Sequence, residues 1–344
     1  MSDIEIMKST TVLTRQDKLG AIKVRLGLGR NNYQVSPGLY ALGMPDPSSP
    51  VLVTANYKLT YDTLRSHLTG QNLWILVLDT KGINVWCAAG KGTFGTTELI
   101  RRIKITRLEE VVLHRNLILP QLGAPGVMGY KVTKDTGFKI TYGPIRAEDI
   151  PTFLANGMKA TDQMRRVTFT LKERLMVVPV EVQYAVKLLP ALFVILVLFN
   201  LVTPNPTGTP LHQSVGAVLR VSFYQLLPHI MAFLLGTLGI AAFLPYLPGK
   251  SFALKGLFMG VLWSGVIFRF APMFYYPESQ LIVWAHVLIA TAITTFFSLN
   301  FTGSTTFTSP SGVQKETLIS IPIIALSTLV GFAMLIVSKV LQFK

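Results

Sequence analysis

Charge is almost absent from long stretches of the C-terminal half of this chain. No charged side chain lies between Lys187 and Arg220, and none lies between Glu278 and Lys315. A water-soluble domain cannot cover its surface without charged groups over such lengths. The C-terminal half is therefore predicted to be a membrane domain, and the 344-residue chain has room for a second domain before it.

Five apolar stretches are long enough to cross the hydrocarbon core of a bilayer as helices, which takes about 20 residues each. They cover residues 185–203, 225–246, 253–271, 280–299 and 317–338. The third stretch is the weakest of the five, because charged side chains bound it closely at both ends. The hydroxyl-rich segment 300–316, between the last two spans, is predicted to be a cytoplasmic loop.

The first 184 residues hold 24 of the 32 Lys and Arg and 15 of the 17 Asp and Glu, which leaves this half with a net charge of about +9. A basic chain raises nucleic acid as a possible partner. Here, however, the bases are scattered or grouped just before the first span, as is typical of a cytoplasmic flank near anionic lipid. Residues 1–20 contain no apolar segment of the signal-peptide type. We therefore expect no nucleic-acid partner, and a multi-pass protein of the inner (cytoplasmic) membrane with its N-terminal domain in the cytoplasm.

Short apolar runs alternate with helical spacing in the N-terminal half. Residues 50–55, 73–79 and 138–143 have the pattern of buried strands. Helices are predicted between the strands, among them 57–68 and 96–104. This alternation predicts an α/β domain with a Rossmann-like, doubly wound and mostly parallel sheet.

We assign this domain to residues 36–175 and an all-α transmembrane domain of five helices to residues 176–344. Residues 1–35 have no clear pattern and stay unassigned. Ligands of doubly wound sheets bind beyond the carboxyl ends of the strands. The predicted loops at that edge are 54–57, 80–95, 119–129 and 142–147.

The only cysteine of the chain, Cys87, lies in one of these loops, within the stretch "NVWCAAGKGTFG" of residues 84–95. Its spacing fits one short helix that begins at Asn84 as N-cap and ends at Gly90 as C-cap, with the cysteine in the first turn. We call this segment the cap helix. A cysteine there is either a functional thiol, since strand-end loops concentrate function, or an inert structural residue in the core.

The glycines of the same stretch allow a second interpretation. Residues 90–95 match G-x-G-x-x-G, the pattern of a dinucleotide-binding turn. The pattern normally begins directly after a strand, whereas here ten residues separate Asp79 from Gly90. A membrane transporter or sensor with a nucleotide-binding domain is therefore an alternative function, supported only by a weak motif.

The residues "NVWCAAGK" at 84–91 carry a more specific signal. They agree at all eight positions with N-[VI]-W-C-A-[AG]-G-K, the cap-helix signature of the corrinoid proteins of microbial mercury methylation, the HgcA family. The chain resembles that family over nearly its whole length apart from about the first 35 residues. Its N-terminal half also resembles the corrinoid-binding domain of the large subunit of the corrinoid iron–sulfur protein.

The resemblance implies a corrinoid cofactor of the cobalamin type, held base-off, with Cys87 as the lower axial ligand of cobalt. A thiolate is a soft anionic donor and would stabilise cobalt when a methyl group leaves with its bonding electrons. The resemblance places the rest of the signature around the cofactor, namely Asn84, Val85, Trp86, Ala88, Ala89, Gly90 and Lys91. The fold, in which ligands lie beyond the strand ends, adds the loop residues Thr54, Asn56, Gly123, Ala124 and Gly126 as an expectation.

The function implied is a membrane-anchored corrinoid methyltransferase that moves a methyl group from cobalt to mercuric ion and gives methylmercury. A corrinoid methyl carrier with another native acceptor is the alternative. The implied partners are a ferredoxin-like iron–sulfur protein (HgcB) as reductant and a methyl donor linked to methyl-tetrahydrofolate. One cysteine cannot build an iron–sulfur cluster within this chain, since such clusters usually need four thiolates.

Overall fold

The computed structural model describes residues 4–202, 214–274, 280–302, 308 and 310–342. The chain forms two compact units, Met1–Thr168 and Phe169–Lys344. The first unit contains a six-stranded sheet with helices, and the second is helical. The predicted fold class, a mixed α/β domain followed by a helical region with five candidate membrane spans, is confirmed.

The sheet of the first unit has the strand order β1-β2-β4-β3-β5-β6. All neighbouring strands are parallel except β2 and β4, which are antiparallel. Because β4 and β5 lie on opposite sides of β3, the chain changes direction across the sheet at the carboxyl end of β3, where such sheets bind ligands. The strands are β1 (Ile6–Ser9), β2 (Gly38–Leu42), β3 (Val51–Ala55), β4 (Leu73–Leu78), β5 (Asn116–Leu119) and β6 (Lys139–Tyr142).

Seven α-helices accompany these strands. They are α1 (Arg15–Arg25), α2 (Lys58–Ser66), α3 (Val85–Lys91), α4 (Thr96–Ile105), α5 (Leu108–Val111), α6 (Gly129–Thr136) and α7 (Ile150–Ala155). Short 3₁₀ segments cover Arg30–Asn32, Gln121–Gly126 and Ala147–Asp149.

The central strand β4 shows how the core is built. All six of its side chains are buried. Trp74, Leu76 and Leu78 belong to one hydrophobic cluster, and the alternate residues Leu73, Ile75 and Val77 belong to another. Since successive side chains of a strand point to opposite faces, both faces of the sheet are covered, which explains the uninterrupted apolar run of this strand.

Residues 1–35, which had no predicted element, contain β1 and α1. Strand β2 was also not predicted. It enters the sheet antiparallel to β4, with Gly38 opposite Val77. The start of β2 therefore lies at the same edge as the carboxyl end of β4, and the residues just before Gly38 join the predicted ligand-binding edge.

The second unit contains five helical segments long and apolar enough to cross a membrane among the described residues: Leu171–Leu201, Val215–Phe243, Phe252–Arg269, Gln280–Phe301 and Ser311–Ser338. The helices that form them are α8 (Leu171–Val202), α9 (Val215–Leu234) with α10 (Ile240–Phe243), α11 (Phe252–Arg269), α13 (Gln280–Phe301) and α14 (Pro310–Gln342), and α12 (Ala271–Phe274) is short. The third span has the lowest mean hydropathy, 1.4, as the sequence indicated.

The first, second and last spans begin earlier than predicted, the second at Val215 instead of residue 225. Helix α8 begins at Leu171, well before residue 185, and α14 begins at Pro310 within the hydroxyl-rich segment 300–316. Residues 303–307 and 309 of that segment lie outside the described residues, so its prediction as a cytoplasmic loop remains a prediction.

Helices α11 and α13 pack closely because small residues face each other. A Cβ built on Gly256 would lie 2.5 Å from the Ser298 side chain, and one built on Gly260 would lie 3.0 Å from Thr291. These two glycines form a G-x-x-x-G pair, a spacing that lets helix backbones approach in membranes, where close packing replaces the hydrophobic effect as the driving force.

Two histidines that look isolated in the sequence meet in this unit. His229 Nε2 lies 2.9 Å from His286 Nδ1, and both side chains are buried. They lie on α9 and α13, which pack together. Buried polar groups are costly unless paired, and this hydrogen bond satisfies one ring nitrogen of each histidine.

A buried ionic network in the first unit ties α1 to α2. Lys58 Nζ donates hydrogen bonds to Asp17 (2.5 Å) and to Asp62 (2.8 Å). Arg65 contacts the same two carboxylates at 2.7 and 2.8 Å. Burial alone would raise the pKa of Asp17, but the hydrogen bonds from Lys58 and Thr14 outweigh it and hold that pKa well below its ordinary value.

The network predicts a pH-dependent contribution to stability. Because the pKa of Asp17 in the folded state lies below its unfolded value of about 3.9, its contribution is present above that pH and is lost as the pH falls toward the folded pKa. Asp17→Asn should lower the free energy of unfolding of the first unit by about 3 kcal/mol at neutral pH, since it breaks a buried ion pair. Protease sensitivity of the full-length protein in urea, at pH values from 3 to 7, measures this.

The exposed carboxylate of Asp135 provides the control. Asp135→Asn should leave unfolding unchanged at every pH. An equal loss of stability in Asp17→Asn at the lowest and the highest pH would contradict the role given to ionisation.

Candidate functional site

The turn after β4 is held by one buried side chain, that of Asn56, which follows β3 and is 1% exposed. Its Oδ1 accepts hydrogen bonds from the backbone N–H groups of Thr80 (3.1 Å) and Gly82 (3.0 Å) and from the Thr80 hydroxyl (2.9 Å). Its Nδ2 donates to Gln34 at 3.2 Å and to Asp79 at 3.4 Å. One amide therefore joins the carboxyl ends of β3 and β4 to the segment that enters β2.

The turn has unusual backbone conformations. Lys81 has φ 58° and Gly82 has φ 69°, a left-handed region that favours glycine. A Cβ on Gly82 would lie 2.8 Å from the Gln34 side chain, so a larger residue would also have to displace that side chain. Burial alone would raise the pKa of Asp79, but hydrogen bonds from the side chain and backbone of Lys81 outweigh it and lower that pKa.

The cap helix forms where the sequence predicted it, as α3. The side chain of Asn84 accepts a hydrogen bond from the Cys87 N–H at 2.9 Å and so acts as N-cap. The predicted end at Gly90 is wrong by two residues. The helix continues through Lys91, and Gly92 with φ 79° provides the left-handed C-cap, because it is Gly92 rather than Gly90 that turns the chain back toward Phe94.

The cap helix has two different faces. Val85, Ala88 and Ala89 are buried in the core with Phe94. At 3.6 residues per turn, Cys87 lies about 150° around the helix from the centre of that buried face. The thiol is correspondingly part-exposed. Of the two interpretations given to this cysteine, a residue packed in the core does not fit its position.

The cap helix packs backbone to backbone against the 3₁₀ segment Gln121–Gly126. A Cβ on Gly126 would lie 2.1 Å from the carbonyl oxygen of Phe94 and 3.1 Å from the Cα of Ala89. A Cβ on Gly123 would lie 2.5 Å from the Phe94 ring. These two glycines therefore allow the strand-end loop to hold the cap helix in place.

The predicted site residues divide into two groups in the structure. Trp86, Cys87, Gly90, Lys91 and Ala124 are at least part-exposed and can meet a ligand. The others are buried or are held by contacts within the protein. They are Thr54, Asn56, Val85, Ala88, Ala89 and Gly123, together with Asn84, which caps the helix, and Gly126, which packs against it.

Three further residues belong to the site and were not predicted. Gln34 reaches it through the antiparallel entry of β2, for which the sequence offers no local signal. Glu98 accepts a hydrogen bond from the Asp79 N–H at 2.9 Å and thereby joins α4 to the end of β4. The hydroxyl of Thr93 is buried without a hydrogen-bond partner among the described residues, in the loop directly after the cap helix.

The glycine motif at 90–95 does not form a dinucleotide-binding turn of the usual kind. Strand β4 ends at Leu78, and the turn and the cap helix separate it from the motif. Gly92 caps one helix and Gly95 precedes the next, α4. The glycines thus serve helix ends rather than a phosphate-binding turn directly after a strand.

Removal of the Asn56 amide should loosen the turn and the cap helix that follows it. Asn56→Ala leaves the buried N–H groups of Thr80 and Gly82 without an acceptor, so we expect a loss of about 3 kcal/mol in local stability. Amide hydrogen exchange at residues 79–91 of the full-length protein measures this. The exposed Asn32→Ala variant is the control and should exchange as the wild type does. Unchanged protection from amide exchange in Asn56→Ala would show that the turn is stable without the hydrogen bonds of Asn56.

Gly90 in the cap helix and Gly126 in the segment that packs against it offer a matched pair of glycine substitutions. Gly126→Ala should destabilise the first unit by about 1–3 kcal/mol, because the added methyl group meets backbone atoms. Gly90→Ala should be neutral or stabilise by up to about 1 kcal/mol, since a Cβ there meets nothing within 4 Å. Urea unfolding of the full-length protein, followed by proteolysis, compares them. Equal stability of the two variants would mean that the cap helix is not held by the Gln121–Gly126 segment.

Comparisons with known proteins concern the first unit. Residues 3–154 match the family model CdhD, described as CO dehydrogenase/acetyl-CoA synthase delta subunit. The gamma subunit of an acetyl-CoA decarbonylase/synthase complex from Archaeoglobus fulgidus is 37% identical over 127 residues, which is 36% of this chain and 27% of the relative. The corrinoid/iron–sulfur protein large subunit of Moorella thermoacetica is 30% identical over 122 residues, 35% of this chain and 27% of the relative.

The chain thus spans about a quarter of the length of these two relatives. The matched residues contain the whole six-stranded sheet, the Asn56 turn and the cap helix. The N-terminal unit is therefore similar to the CdhD family and to the corrinoid/iron–sulfur protein large subunit over part of their lengths.

Proposed function

We propose that the first unit binds a corrinoid at the carboxyl edge of its sheet and serves as a methyl carrier, in a chain anchored to the membrane by its second unit. The likeness to the corrinoid/iron–sulfur protein large subunit supports the cofactor. The observation that carries the proposal is the position of Cys87. It is the only thiol of the chain and lies on the side of the cap helix turned away from the core, at the edge where such sheets bind ligands.

The residues around the cap helix fit such a group. Cys87 offers a soft thiolate ligand, which suits a transition metal. Gly90 and Gly92 leave open space, because a Cβ on either would meet nothing within 4 Å. The unpartnered hydroxyl of Thr93 is free to bond a polar group of the ligand. A corrinoid, when bound, would supply a cobalt centre that carries a methyl group and gives it up to an acceptor.

The protein's part is to hold the thiol in one place. Asn84 fixes the first turn of the cap helix by binding the Cys87 N–H. Ala88 and Ala89 anchor the next turn in the core, and the backbone contact at Gly126 prevents the helix from sliding. Residues that orient a metal ligand in this way tune its donor strength and affinity, and here they would keep the Cys87 thiol positioned to hold the cobalt of a corrinoid.

We further propose that the methyl acceptor is mercuric ion and that the product is methylmercury. The support is the agreement of residues 84–91 with the signature of the mercury-methylating corrinoid proteins. Mercuric ion is a soft electrophile, so it would need a methyl group that is delivered with its bonding electrons, and the Cys87 thiolate would give the corrinoid an electron-rich, anionic ligand suited to that chemistry. The alternative is a native methyl acceptor other than mercuric ion, to which the same site would transfer the methyl group.

The proposed partners follow from what the chain lacks. Its single cysteine is assigned to cobalt, so reducing electrons would come from a separate iron–sulfur protein of the ferredoxin type (HgcB). Ferredoxins are commonly acidic, and the first 184 residues carry a net charge of about +9, which favours their encounter. A donor linked to methyl-tetrahydrofolate would supply the methyl group, and the cytoplasmic side of the inner membrane is the proposed location of the first unit.

Replacing Cys87 tests the proposal. Cys87→Ala should bind corrinoid with an altered visible absorption spectrum, because the sulfur ligand is lost, and should lower methyl transfer to mercuric ion by at least about a hundredfold. Cys87→Ser, which keeps the size but offers a hard oxygen, should resemble the alanine variant. Cys87→His should bind corrinoid but transfer poorly, since imidazole is a neutral donor. Full-length protein purified without oxygen is used for both measurements.

The outcomes separate the parts of the proposal. A wild-type spectrum and near-wild-type transfer in Cys87→Ala would contradict the ligand role. A colourless wild-type protein that takes up no added corrinoid would overturn corrinoid binding itself and would revive the nucleotide-binding alternative. A methylated, corrinoid-loaded wild type that gives no methylmercury from mercuric ion would leave the carrier function and reject the proposed acceptor.

A further inference from the structure

Helix α1 buries Val24, but it and its C-cap expose three other large apolar residues. Leu19, Ile22 and Leu26 are 60%, 54% and 46% exposed. At 3.6 residues per turn they lie in one line along the helix, directly opposite the buried residues Asp17 and Val24. We call Leu19, Ile22 and Leu26 the α1 stripe. These three aliphatic side chains of α1 and its C-cap are therefore not covered by other residues of the first unit that the structure describes.

Apart from Asp17, the charged residues of helix α1 are all basic. Arg15, Lys18, Lys23 and Arg25 belong to the same helix. The one acidic residue of the helix, Asp17, faces the other way and is bound by Lys58 and Arg65. The outward face of α1 is therefore apolar along its centre and basic along its sides.

This pattern is that of a helix that lies in the interface of a membrane with anionic lipid, its aliphatic side chains among the acyl chains and its bases among the headgroups. The same chain carries five candidate membrane spans. The unit that contains α1 is thus tethered within reach of lipid, so that even weak partitioning of the helix is effective.

We propose that the α1 stripe binds the surface of a bilayer that contains anionic lipid. The contact adds an attachment to the membrane besides the spans of the second unit, and it involves none of the residues of the cap-helix site. It does not depend on the corrinoid or on the methyl acceptor. An acidic protein with an apolar groove is the competing partner for such a helix, but the five candidate membrane spans of the same chain favour the bilayer.

The single cysteine of the chain makes a direct test possible. Full-length protein in the Cys87→Ala background is given one new cysteine, Ile22→Cys in the α1 stripe or Asp135→Cys as the control. Asp135 is exposed at the end of α6, which leads into β6 at the sheet edge opposite β1. Each variant is labelled with an environment-sensitive fluorophore and placed in nanodiscs with lipids that carry a quencher in their acyl chains.

We expect strong quenching at position 22 in discs of phosphatidylglycerol and phosphatidylcholine, less in discs of phosphatidylcholine alone, and little at position 135 in either. High salt should weaken the quenching, because surface charges are screened. Lys18→Gln, Lys23→Gln and Arg25→Gln together should weaken it as well, by about fivefold in the contact equilibrium for each charge removed. The matched triple variant Lys131→Gln, Lys134→Gln and Lys139→Gln, which removes the same charge near the other sheet edge, should leave it unchanged.

Two results would overturn the proposal. The first is equal quenching of the probes at positions 22 and 135 in anionic discs. That result would favour a protein, rather than lipid, as the partner of the α1 stripe. The other is quenching at position 22 that is equal in neutral and anionic discs and unaffected by the triple substitution of α1, since the bases would then have no part in the contact.

Discussion

The hydrogen bonds of one buried amide, Asn56, organise the candidate site of this protein. This side chain joins the ends of β3 and β4 to the segment before β2 and fixes the turn 79–83. The start of the cap helix depends on this turn, because the helix begins directly after it at Asn84. The position of the helix in turn sets the position of Cys87. Asn56 was predicted to bind the cofactor, but both polar atoms of its side chain bond to the protein. It would therefore affect a ligand only indirectly, through the position of the turn.

The cap helix is then held from two sides by different means. Apolar side chains anchor it in the core, and glycines let its backbone approach the Gln121–Gly126 segment. The result is a short helix with one fixed face and one free face, and the only thiol of the chain lies toward the free face. Such preorganisation is what an axial metal ligand requires, because the geometry of a metal site is set by the residues that orient the ligands.

Much of this could be predicted from the sequence. The buried strands β3 and β4, the cap helix with its Asn84 cap and the five apolar spans all have local signals, namely apolar runs, a capping residue and the absence of charge. Strands β1 and β2 have weaker signals, and the pairing of β2 against β4 depends on partners distant in the chain. The end of the cap helix was misplaced because two glycines compete for the C-cap, and only the path to Phe94 decides between them.

The sequence by itself determined that one half of this chain carries five candidate membrane spans and that the other is an α/β domain with a cysteine beyond a strand end, because hydrophobicity, charge and capping are properties of neighbouring residues. Only the tertiary structure decided which residues meet. It brought Gln34 to Asn56, joined His229 to His286, and turned Cys87 away from the core and the α1 stripe toward solvent. These contacts and orientations depend on the packing of elements that are far apart in the chain, and no local sequence pattern predicts that packing.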